Sequence, residues 1–144
     1  MEFTQILIVE DNVSDAELAI SVLKEQNIVH SIHHVSDGAE ALDYLFFTGK
    51  YAGANHATPH IILLDVNMPK VHGIDVLKRI KSEEKTKKIP VIMLTSSNEE
   101  RDIQQAYNNG ANSYIVKPVG FEQFAKALQK VGSYWMMVNH SYTV

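Results

Sequence analysis

Three acids, a hydroxyl and a lysine stand at the ends of four short, mostly apolar runs. Glu10 and Asp11 follow Ile6-Leu7-Ile8-Val9, and Asp65 follows Ile61-Ile62-Leu63-Leu64. Thr95 follows Val91-Ile92-Met93-Leu94, and Lys117 follows Asn112-Ser113-Tyr114-Ile115-Val116. If these runs are strands of an open parallel α/β sheet, their carboxyl ends open on one crevice. Residues far apart in sequence then converge there. Acids crowded in this way repel one another unless a hard cation lies among them, and oxygen-only ligation suits Mg²⁺. A lysine beside them offers a compact point charge for a phosphoryl group.

The elements that must position these residues alternate along the chain. Gln5–Val9 reads as a short apolar strand, too short for a helix. Ser14 with Glu17 forms a capping-box pattern opening a helix that runs to about Asn27. Its apolar face is Ala16, Ala19, Ile20, Val22 and Leu23. His30–Val35 is polar enough for an edge strand. Asp37 with Glu40 caps the next helix, whose apolar face holds Ala41, Leu42 and Leu45, and Gly49 stops it. Lys50–Pro59 is a long polar loop. Ile61–Leu64 and Val91–Leu94 are apolar throughout, as central strands buried on both faces are. Helices are predicted over Gly73–Lys81, from Asn98 to Asn109-Gly110, and over Phe121–Val138, the last with Phe124, Leu128, Val131 and Trp135 inward. Five βα units of this kind predict a doubly wound, flavodoxin-like sheet of order 2-1-3-4-5, with Asp11 and Asp65 on one crevice.

The chain has 144 residues, 45% hydrophobic and 21% charged, which fits one domain with a single well-buried core. It has no cysteine, so thiol nucleophiles, disulfides and cysteine-ligated metals are excluded. A net charge of −4 points away from a nucleic-acid surface. The apolar runs are far too short to span a membrane, and the start of the chain does not read as a signal peptide, so a cytoplasmic location is expected.

Four segments together resemble the receiver domain of two-component response regulators. They are Val9-Glu10-Asp11-Asn12, Leu63-Leu64-Asp65-Val66-Asn67-Met68-Pro69 with Gly73, Leu94-Thr95-Ser96, and Tyr114-Ile115-Val116-Lys117-Pro118. The resemblance runs from Gln5 to about Val138, giving one receiver domain over 1–144 with a core of 5–138 and a short tail. A finer likeness is carried by Tyr44-Leu45, Gly49-Lys50-Tyr51, Pro59, Asp65 to Lys70, and Tyr134-Trp135. These resemble stand-alone receivers that partner bacterial phytochrome kinases; receivers of other hybrid sensor kinases share the pattern. The resemblance implies that Asp65 accepts a phosphoryl group from a phosphohistidine on a histidine kinase. It implies that Asp11 and Asp65 ligate Mg²⁺ directly, Asn67 through its backbone carbonyl, and Glu10 through a water. Thr95, Ser96 and Lys117 would hold the phosphoryl group, Lys117 pairing with Asp65 beforehand. Thr95 and Tyr114 would form the switch pair, and Asn67 and Ser97 occupy positions that tune dephosphorylation. The Lys117-Pro118 bond would be cis.

Other readings compete. A haloacid-dehalogenase-like phosphatase would want a general acid two residues after Asp65, where Asn67 stands. A flavin site would want a Ser/Thr/Gly-rich phosphate loop after the first strand, where Glu10-Asp11 would repel the phosphate. A degenerate docking receiver would lack a phosphorylation residue, and none is missing. His30, His33 and His34 lack zinc-site spacing. Lys78, Arg79, Lys81, Lys85, Lys87 and Lys88 are interleaved with Glu83 and Glu84 and read as a solvated helix end. With the chain ending at Val144 and no output module in view, the readout is expected to be a surface. Tyr134, Trp135, Met136 and Met137 point to a two-fold homodimer through the C-terminal half.

Overall fold

Strands and helices alternate in the computed structural model, which describes residues 4–25, 29–117, 120 and 122–130. The strands are β1 (Thr4–Val9), β2 (Val29–Val35), β3 (Ile61–Leu64), β4 (Val91–Thr95) and β5 (Ser113–Val116). They form one parallel sheet of order β2-β1-β3-β4-β5, as the alternation predicts. The helices are α1 (Val13–Lys24), α2 (Gly38–Phe46), α3 (Gly73–Ser82), α4 (Glu100–Asn108) and α5 (122–130).

Why the central strands are apolar at every position follows from the pleat, which sends successive side chains to opposite faces. Leu7, Val9, Ile62, Leu64, Val91 and Met93 face a core shared with Leu45 of α2, Leu77 of α3 and Ala106 of α4. Ile6, Ile8, Ile61, Leu63, Ile92 and Leu94 face a second core, closed by Leu23 of α1 and by Phe124 and Leu128 of α5. Fully buried side chains such as Leu7, Ile62 and Leu64 each contribute about 1.5–3 kcal/mol. The two cores hold the sheet rigid, so the strand ends are fixed in space.

Helix ends depart from the sequence reading in three places. The cap of α1 is Asn12, whose Oδ1 accepts from Asp15 N at 2.9 Å; Ser14 lies inside the helix. Asn and Ser cap equally well, and the chain turns earlier because Glu10 accepts from Asn12 N. Glu99, not Asn98, precedes α4, with no side-chain cap bond. Phe47, not Gly49, ends α2, in the left-handed conformation with φ 58°. Gly49 (φ 55°) instead opens a 3₁₀ turn, Gly49–Tyr51. The cap of α2 is the expected Asp37, whose Oδ1 accepts from Glu40 N at 2.8 Å, while Glu40 Oε1 reaches one residue beyond the cap and accepts from Ser36 N.

Phe47 accepts its unusual backbone because its ring joins a column of stacked rings at the β2 edge. His33 stacks on Tyr44 (4.2 Å), Tyr44 on His56 (3.8 Å) and His56 on Phe47 (4.4 Å), and the Lys85 ammonium lies 4.1 Å from the Phe47 centroid. Tyr51 stands edge-on to His33, Tyr44 and His56 and donates to Glu40 Oε2. This column fastens the loop after α2 to the sheet. At the other end of the molecule Lys81 departs from the solvated reading. It is half-buried and donates to the carbonyls of Lys87 and Ile89 and to Asn112 Oδ1, tying α3 to the start of β4. Burial pushes its pKa down.

Candidate functional site

Strand register brings the sequence-predicted residues together. Val9 pairs with Leu64, so the residues that follow, Glu10 and Asp65, are neighbours. Thr95 pairs with Val116, and Lys117 N donates to the Thr95 carbonyl at 2.7 Å, which fixes where the lysine leaves the sheet. Glu10 (4% exposed) and Asp65 (7%) are buried, and Asp11 is exposed. One oxygen from each of Glu10, Asp11 and Asp65 lies within 4.8 Å of the others. A donor set of hard oxygens at that separation fits a hard divalent cation. Among the described residues no other group of His and acids gathers in this way.

Close approach shapes the loop after Asp65. Gly73 N donates to the Val66 carbonyl at 2.8 Å, and a Cβ on Gly73 would overlap the Asp65 carbonyl oxygen. Only glycine lets α3 start this near the acid. Lys70, in the same loop, has φ 69° and pairs with Asp37 at 3.5 Å. Asn67 is exposed two residues beyond Asp65.

Lys117 forms the expected ion pair with Asp65, but a looser one than with two other acids. Its Nζ is 2.5 Å from Glu10 Oε1 and 2.9 Å from Asp15 Oδ2, but 3.7 Å from Asp65 Oδ2. Burial pushes the lysine pKa down, yet the bonds to Glu10 and Asp15 outweigh it and leave the pKa above its ordinary value. Burial pushes the Glu10 carboxyl up to about 7, against the pull of Lys117 and with the Asp65 charge adding to it. The reason is geometric: one ammonium serves three carboxylates, and it settles between the two it reaches best.

Asp15 was not singled out from the sequence, where it is one more acid in a first helical turn. The available signal was its one-turn spacing from Asp11, which puts it over the same crevice. His34 was missed as well. Its Nε2 lies 2.8 Å from the Glu10 carbonyl, which can only accept, so the ring donates and steadies the acid's backbone. His33, on the other face of β2, belongs to the aromatic column, so these adjacent histidines do not act together. The side chain of His30 lies outside the described residues.

Thr95 is fully buried, and its Oγ1 accepts from Ser97 N at 3.3 Å. Tyr114 is half-buried and donates to the Ser97 carbonyl at 2.9 Å. Ser97 Oγ donates to Asp102 Oδ2 at 2.5 Å. Thr95 and Tyr114 are therefore joined through Ser97 rather than directly. Ser96 is exposed beside Thr95. Pro118, and with it the expected cis bond, lies outside the described residues, as do Val131 and Tyr134 to Met137.

An open sheet of this order gathers acids and a lysine at its carboxyl edge, a donor set suited to a divalent cation and to a phosphoryl group. The profile of the response regulator receiver domain matches residues 6–129, and the chain belongs to that family. It is 38% identical over 136 residues to the probable methanogenesis regulatory protein FilR2 of Methanothrix harundinacea, covering 94% of this chain and 86% of FilR2. Response regulator Rcp1 of Synechocystis is 37% identical over 131 residues, covering 91% of this chain and 88% of Rcp1. The Mn(2+)-bound form of Rcp1 overlays with TM-score 0.87 at 36% identity, covering 92% of this chain and 94% of that one. The phosphorylated cyanobacterial phytochrome response regulator RcpA overlays with TM-score 0.89 at 37% identity, covering 94% and 95%. The family goes against the phosphatase reading, as does Asn67 in place of a general acid. Among the described residues no helix is long and apolar enough to cross a membrane.

Proposed function

We propose that this response regulator accepts a phosphoryl group on Asp65 from a phosphohistidine of a histidine kinase in the cytoplasm. The observation that carries this is the buried Asp65 carboxylate with an ammonium 3.7 Å away and two further acids within ligand reach. An Asp65 oxygen attacks phosphorus, the O–P bond forms, and the P–N bond breaks with its electron pair passing to the imidazole nitrogen. Glu10, Asp11, Asp65 and the Asn67 carbonyl would hold Mg²⁺, whose charge offsets that of the phosphoryl oxygens. Lys117 neutralises a phosphoryl oxygen, and positioning with charge neutralisation is most of what this chemistry needs. Thr95, with Ser96, then bonds the phosphoryl group. Because Thr95 Oγ1 already holds Ser97 N, and Ser97 holds Tyr114, that move pulls on Tyr114 through one shared residue.

The likeness to RcpA supports a phytochrome-type or other hybrid sensor kinase as partner. A homodimer on the α4–β5–α5 face is the second part of the proposal. It is supported by two exposed apolar side chains there, Tyr107 (50%) and Val116 (38%). The decisive experiment uses a small acyl phosphate donor with Mg²⁺. Wild type should form a base-labile acyl phosphate and Asp65→Asn none; labelling that persists in Asp65→Asn would move the acceptor elsewhere.

A further inference from the structure

We propose that Asp15 is a positioning residue that holds Lys117 back from Asp65 until a phosphoryl group arrives, and so sets how readily Asp65 is phosphorylated. This rests on the reading of Asp65 as acceptor. Lys117 Nζ is within hydrogen-bond length of Glu10 (2.5 Å) and Asp15 (2.9 Å) but not of Asp65 (3.7 Å). The resting lysine thus keeps an ion pair with the nucleophile but makes its hydrogen bonds to Glu10 and to Asp15 of α1.

The placement of Asp15 is built in. Its backbone N is held by the Asn12 cap, which locks the first turn of α1. A carboxylate in that turn is favoured by the helix dipole. Glu10, Asp15 and Asp65 line one small cavity, floored by Ile8, Ala19 and Leu94. Of the acids around Lys117, Asp15 is the most open to water: its side chain is 31% exposed, against 5% for Glu10 and 8% for Asp65. Water can solvate Asp15 when the lysine leaves, so this is the pair that breaks.

Two effects follow, and both have the same sign. When an Asp65 oxygen attacks phosphorus and the donor leaves with the bonding pair, the new phosphoryl group draws Lys117 away from Asp15. The carboxylate of Asp15 also repels the incoming phosphoryl oxygens. Both favour the unphosphorylated state, so Asp15 acts as a brake that the phosphoryl charge must overcome.

The test compares wild type, Asp15→Asn and Asp15→Glu at saturating Mg²⁺. One readout is the rate of phosphorylation by a small acyl phosphate; another is affinity for beryllofluoride, a phosphoryl mimic. Asp15→Asn should raise both by about fivefold, which is ~1 kcal/mol, the size of a partly exposed ion pair. Asp15→Glu keeps the charge and should stay near wild type. The Lys117 ammonium ¹⁵N shift should differ between wild type and Asp15→Asn when free, and coincide when beryllofluoride is bound. A purely structural residue would instead lower melting temperature, rate and affinity together, with no recovery in Asp15→Glu. Rate and affinity in Asp15→Asn at or below wild type would overturn the proposal. Asp65→Asn run alongside separates the failures: label in that variant removes the acceptor reading, whereas a blank there with an unchanged Asp15→Asn removes only the brake.

Discussion

Burial is the main reason that the Glu10 carboxyl is pushed up to about 7 from the ordinary 4.5 of a glutamate. An acid raised in this way stabilises the fold fully below its unfolded pKa and loses that contribution as pH rises through the folded one. Glu10 therefore favours the metal-free fold near pH 4.5 and burdens it above about 7. A divalent cation needs the carboxylate, so its binding must release the proton. Apparent Mg²⁺ affinity should rise with pH between about 5 and 7, by up to about tenfold per unit, and flatten above. Calorimetry in buffers of different ionisation enthalpy should count nearly one proton released near pH 6 and none in Glu10→Gln. Asp65 was legible because it follows an apolar run too short for a helix, and Lys117 because it follows the last strand just before Pro118, with topology doing the rest. Asp15 and His34 were not, because their partners, Lys117 and the Glu10 carbonyl, become neighbours only once the sheet is formed.

Among the elements, α3 carries the tightest constraint. Its first residue, Gly73, leaves no room for a Cβ between itself and the Asp65 carbonyl, with Val66 Cα 2.7 Å from that position. Gly73→Ala should cost about 1–3 kcal/mol through overpacking, read as a lower urea midpoint with an unchanged slope. It should also slow phosphorylation, because the loop carrying Asp65 must shift. An unchanged midpoint would mean that α3 can retreat without cost. Gly73 was legible as part of a motif; its physical reason needed the backbone approach. Strand positions were legible almost to the residue, since continuous apolar runs of four or five have few other uses. Helix starts were less so: Asn12 and Ser14 are equivalent as caps, and the choice falls to Glu10 reaching back to Asn12 N. The end of α2 was hidden for a different reason. Phe47 is an improbable left-handed residue, stabilised by a ring column whose members His33 and His56 come from elsewhere in the chain.

The whole molecule divides into a quiet end and a working end. At the quiet end Lys81 binds three oxygens. The α4–β5 face leaves two apolar side chains to solvent: Val116 at the working end, paired with Thr95, and Tyr107 in the last turn of α4, nearer the quiet end. Light scattering should show a dimer for wild type that Tyr107→Ser weakens and beryllofluoride shifts. A chain that stays monomeric in every condition at high concentration would refute the dimer, and a dimer indifferent to beryllofluoride would refute only its coupling to phosphorylation.

The crowding of acids around one ammonium has a consequence for the energy landscape. Nearly every other choice along this chain is mutually supportive: pattern, caps, packing and turns agree. The crevice is frustrated, a patch of like charge that folding tolerates because most of the described residues around it are consistent. Whatever adds positive charge there relaxes the conflict. The crevice is then least settled when bare and most settled when a divalent cation offsets its carboxylates.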